Sequence, residues 1–136
     1  MSTKTAAGPD LTLKEACALI IAARFEWRRY KDLVRSDWSD DQETLDKAFW
    51  KLTSLIWVLS HPEDVEGSKE ETYTLTDREM RMVVVAAELE LEHHAPVPAC
   101  RRTPDMLALR SGHDKLCEAV HRADPKRCYY PESRGA

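Results

Sequence analysis

The sequence predicts an all-α, single-domain bundle of four to five helices around a buried central helix at about 40–60. Three observations carry this. Apolar residues recur at three- and four-residue spacing in several separate stretches. Ser/Thr-x-x-Glu/Gln signals, which cap helix starts by satisfying free backbone amides, precede three of those stretches. Four glycines in 136 residues are few for a turn-rich β fold. With 43% hydrophobic and 32% charged residues, the composition is that of a folded domain rather than a disordered chain. One helical domain is expected over 11–125, with flexible tails at 1–10 and 126–136.

The first helix starts at the capping pair Thr12 and Glu15 and is expected to run to about Arg35. Leu13, Ala16, Ile20, Ala23, Trp27, Tyr30 and Val34 share its apolar face. Arg24, Arg28, Lys31 and Arg35 repeat on the other side as a basic stripe.

A second capping pair, Ser39 and Gln42, opens the central helix, with Asp40, Asp41 and Glu43 in the first turn where the helix dipole favours negative charge. Leu45, Ala48, Phe49, Leu52, Leu55, Ile56 and Leu59 form one apolar stripe, and Trp50, Trp57 and Val58 widen it. A helix apolar nearly all round is expected inside its domain. Trp27 and Trp57 are accordingly assigned to the core. Trp38 lies in the turn before the helix and is expected at a surface or at a contact between subunits. Pro62 closes the helix near His61.

A charged connector follows, and Thr76 with Glu79 caps the third helix. Met80, Val83, Val84, Ala87 and Leu91 give helical spacing, although the valine run within 83–91 also suits a strand; the cap and the Met/Ala/Glu/Leu content favour helix. After Pro96 and Pro98, Thr103 and Pro104 start the last segment, with Met106, Leu107, Leu109, Leu116, Val120 and Ala123 apolar. Ser111-Gly112 is where this segment could divide, which sets the count at four to five. No internal repeat stands out along the chain.

The chain begins without the basic-then-apolar pattern of a secretion signal. The longest uncharged run in the central helix, Leu52 to Pro62, falls short of the roughly 20 residues that span a bilayer. A cytoplasmic protein with reduced thiols and no membrane partner is expected. The net charge of −4 is unevenly spread: residues 1–36 carry +3, 37–92 carry −10 and 93–136 carry +3.

Neither a nucleophile elbow nor a phosphate-cradling or dinucleotide-binding glycine loop is present, so an enzyme has no support. The leading expectation is a small non-enzymatic protein that binds a protein partner, in the manner of a phage or mobile-element inhibitor or regulator. It would present the acidic surface Asp37, Asp40, Asp41 and Glu43, with Trp38 and Trp50, to a nucleic-acid-handling protein, since charge complementarity selects partners and tryptophan is enriched at interface hot spots. Contact between two copies of the chain is the other use open to Trp38.

Two alternatives are carried beside it. His113, Cys117 and His121 are spaced four apart, and with Cys128 they supply the four nitrogen and sulfur ligands that zinc takes. Otherwise no cofactor is expected. Two Glu-x-x-His pairs, Glu90–His93 and Glu118–His121, are no more than this composition yields by chance. The basic stripe Arg24, Arg28, Lys31 and Arg35 would contact phosphates if the protein bound nucleic acid directly.

Overall fold

The computed structural model describes residues 10–29, 32–33, 37–61, 63 and 73–123. It contains four α-helices and, among the described residues, no strand: α1 (Leu13–Trp27), α2 (Asp40–Ser60), α3 (Asp77–His94) and α4 (Pro104–Ala123), with a 3-10 turn at Ala99–Arg101 before α4. The fold is therefore an all-α helical bundle, and the 83–91 stretch is helical.

Local chemistry sets every start. Thr12, Ser39 and Thr76 each accept the backbone N–H three residues on, while Glu15, Gln42 and Glu79 reach back to the cap amide. At α4 the Thr103 hydroxyl accepts the Met106 amide at 3.2 Å, and the Met106 sulfur takes the glutamate's place at 3.4 Å from Thr103 N. Leu11, Trp38 and Leu75, each one residue before a cap, are all buried and staple the chain onto the core.

α1 and α3 touch one another, and α2 and α4 each pack against both. Leu19, Leu52, Met80, Val83, Val84, Leu116 and Val120 are the largest fully buried side chains. At roughly 1.5–3 kcal/mol for each large apolar side chain removed from water, this shared core holds the helices together.

Several expectations are corrected. α1 ends at Trp27, not Arg35: Arg28 caps it by donating to Arg24 O, and the Trp27 indole is tied to α2. α4 is continuous through Ser111-Gly112, because Gly112 meets Leu19 of α1 at close quarters instead of marking a break. α2 is less enclosed than its apolar girth suggested. Lys51 already meets Glu79 in the first turn of α3, while Leu45 shares a groove with Met82 and Val85, so the two helices run in opposite directions. The last turns of α2 pass the start of α3, and Trp57 is 46% exposed rather than in the core. The expected tails fall outside the described residues apart from Asp10.

The structure also reveals a repeat. The helix starts at Leu13 and Asp40 recur 64 residues later at Asp77 and Pro104. Under that shift Leu11-Thr12-x-x-Glu15 falls on Leu75-Thr76-x-x-Glu79, and Leu45, Lys51 and Leu52 fall on Leu109, Lys115 and Leu116. The hairpin α1–α2 thus corresponds to the hairpin α3–α4.

Candidate functional site: the outer face of α2

Trp50 and Trp57 lie seven residues apart on α2 and so share one face, with about 10 Å between them along the axis at 1.5 Å rise per residue. The inward face carries Leu45, Ala48 and Leu52, whereas Trp50 is 54% exposed.

Trp50 is held from beneath. The Trp27 indole N–H donates to Asp46 Oδ1 at 2.9 Å, a bond that lets the buried Asp46 carboxylate keep a partner. Trp27 stacks on Phe49 with centroids 4.9 Å apart and planes within 9°. Trp50 stands edge-on to both, at 5.0 Å from Phe49 and 6.5 Å from Trp27. Farther along, the His61 ring stacks on Trp57 at 4.4 Å, and His61 Nδ1 sits 2.9 Å from Trp57 O. Both indoles are restrained before any partner arrives, which lowers the entropy lost on binding.

Around the start of the helix Asp37, Asp40, Asp41 and Glu43 are exposed. Arg78 reaches Asp41 at 3.3 Å, and among the described residues Asp37, Asp40 and Glu43 have no ion-pair partner. Trp38 does not belong with them. It is 9% exposed and packs in the core with Leu45, because the position before a cap points inward. Trp57, assigned to the core from sequence, takes its place on the surface.

Of the expected metal-ligand stripe, His113 and Cys117 lie together. His113 is buried, with Nε2 3.1 Å from Glu88 Oε2 on α3 and Nδ1 3.1 Å from Asp114 Oδ1. Cys117 Sγ is 3.6 Å from His113 Nε2. His121 is exposed, and Cys128 lies outside the described residues. Among the described residues no three His, Cys, Asp or Glu side chains are grouped to hold a metal ion. His113 links α4 to α3 as a polar core residue.

Arg24 and Arg28 are exposed at the end of α1, while Lys31 and Arg35 lie outside the described residues. With α1 closing at Trp27, the four do not share one described helix.

No helix among the described residues is long and apolar enough to cross a membrane. The chain matches no family model, no characterised protein and no solved structure.

Proposed function

We propose that this is a non-enzymatic binding protein whose outer α2 face docks a basic, amphipathic segment of a protein partner. The observation that carries it is the pairing of two restrained, exposed tryptophans with unpaired carboxylates on one helix. An exposed Leu is ordinary, but two half-exposed indoles on one face are not. The internal repeat argues that the fold does not require them. The positions equivalent to Trp50 and Trp57 are Asp114 and His121, both exposed and both polar.

Apolar side chains seven apart on a partner helix would seat on the two indoles, and Lys or Arg beyond them would meet Asp37, Asp40 and Glu43. The phosphate-binding surface of a nucleic-acid-handling protein has that chemistry, so an inhibitor or regulator of such machinery is the form of the proposal. Electrostatic complementarity of this kind mainly raises the association rate and selects the partner.

The test is a tryptophan-fluorescence titration with a lysine-rich helical peptide carrying leucines seven residues apart. Binding is expected to weaken about tenfold or more for Trp50→Ala and for Trp57→Ala, and to fall with salt. Equal binding by wild type and by the double substitution would overturn the proposal. Duplex DNA serves as the competing probe: salt-sensitive binding that persists without the tryptophans and is lost with Arg24→Ala and Arg28→Ala would transfer the function to the basic end of α1.

A further inference from the structure

We infer that the chain consists of two diverged copies of one helical hairpin, and that the surface each hairpin turns to the other is a docking surface for the opposite hairpin of a second copy of this chain. Residues 11–60 and 75–124 align without a gap, and ten of the fifty positions are identical. Six of those pairs are Leu11/Leu75, Glu15/Glu79, Ala22/Ala86, Ala23/Ala87, Leu45/Leu109 and Leu52/Leu116, and all twelve residues are buried. The other four, Thr12/Thr76, Glu26/Glu90, Asp41/Asp105 and Lys51/Lys115, include a helix cap and an inter-hairpin bridge, so the shared residues are those that start and pack the hairpin.

Geometry supports the correspondence independently. Lys51 of the first hairpin places Nζ 2.8 Å from Glu79 Oε1 of the second. Lys115 of the second places Nζ 2.9 Å from Glu15 Oε1 of the first. The two bridges are the same bridge under the 64-residue shift, made in both directions between the hairpins. Ala22 and Ala86, Phe25 and Leu89, and Arg29 and His93 line a single groove between α1 and α3. Equivalent residues that line one groove, with the two matching bridges, place a pseudo-twofold axis between those helices.

A hairpin therefore recognises the opposite hairpin, and nothing in that recognition requires both to come from one chain. Residues 61–74 join the hairpins, and fourteen residues can extend to roughly 45–50 Å. The longest helix, of 21 residues, spans only about 32 Å. The connection is long enough for two chains to exchange hairpins with every buried contact retained.

Charge reversal in full-length chains tests this. One chain carries Glu15→Lys and Lys51→Glu, reversing the bridge charges of its first hairpin. The other carries Glu79→Lys and Lys115→Glu, reversing those of its second. Alone, each chain faces like charges at both bridges, and its thermal midpoint is expected to fall by about 10 °C or more. A chain with all four substitutions restores opposite charges within itself and serves as the control for the lost capping carboxylates. Refolded together, the two-substitution chains are expected to form a 1:1 complex of twice the monomer mass, since exchange alone restores both bridges. Its midpoint should equal or exceed that of the four-substitution chain. A mixture that behaves as the sum of two separately weakened monomers would overturn the docking. A four-substitution chain no more stable than either two-substitution chain would overturn the equivalence of the bridges.

Discussion

Lys115 and Lys51, 64 residues apart, each donate to the capping glutamate of the opposite hairpin, at 2.9 Å from Glu15 Oε1 and 2.8 Å from Glu79 Oε1. The same two oxygens accept the cap amides, Thr12 N at 2.9 Å and Thr76 N at 2.8 Å. One carboxylate oxygen thus closes the start of a helix and fastens a neighbouring helix to it. A local signal and a tertiary contact share an atom, so loss of either glutamate costs both.

Glu15 makes the pH dependence of that arrangement measurable. Burial alone would raise its pKa, but the Ser111 hydroxyl, the Thr12 amide and the Lys115 ammonium outweigh burial and hold it at about 2, below the ordinary 4.5. A carboxyl bound more tightly when ionised contributes stability in full above pH 4.5 and loses it as pH falls toward 2. Glu15→Gln should therefore cost on the order of 2 kcal/mol at pH 7, with the gap to wild type closing between pH 4.5 and 2. Denaturant midpoints for both proteins across that range check it. A gap that stayed constant with pH would assign the loss to packing instead of charge.

Gly112→Ala is expected to destabilise although alanine is the better helix former. An added Cβ would stand 3.0 Å from Leu19 Cδ1, 3.1 Å from its Cγ and 3.4 Å from Glu15 Cβ. Leu19 is fully buried, so it would have to give way by a few tenths of an ångström within the core. Overpacking costs about 1–3 kcal/mol against a propensity gain near 1 kcal/mol, so the net loss should be about 1 kcal/mol and lower the melting midpoint by a few degrees. A midpoint that rose would show that α1 and α4 separate freely at this crossing.

The helices were legible because their signals are local: caps, spacing and prolines lie within a few residues of what they determine. Burial was less legible. The charged turn around Trp38 points it to the surface, yet the residue before each of the three capping boxes (Leu11, Trp38 and Leu75) is buried. Position relative to the cap would have located it. The apolar girth of its helix points Trp57 inward, yet it stands 46% exposed on the part of α2 that runs past the start of α3. The repeat is hard to read by motif because only ten of fifty positions are shared and the capping pattern they include also opens α2, while its outer faces differ, as at Trp50 and Asp114 and at Trp57 and His121.

The tryptophans should separate into two groups when replaced. Trp38→Ala empties a core position and is expected to cost about 3–5 kcal/mol, whereas Trp50→Ala and Trp57→Ala should change stability by much less. Thermal melts of the three variants test the assignment directly. A large loss at Trp50 would mean that the aromatic stack with Phe49 and Trp27 is chiefly structural, which would weaken its standing as a partner contact.

Zinc should leave the folded protein unchanged. His113 is already engaged by Glu88 and Asp114, and His121 is exposed near the end of α4, so binding an ion would require the α3–α4 contact to open. One equivalent of zinc is expected to give no rise in the melting midpoint, since a ligand stabilises only through the state that binds it. His113→Ala should instead weaken the fold by about 1–3 kcal/mol, with or without metal, by leaving Glu88 without its partner across the helices. A zinc-dependent rise that disappeared in both His113→Ala and Cys117→Ala would restore the metal reading and place the protein's function on α4 instead of α2.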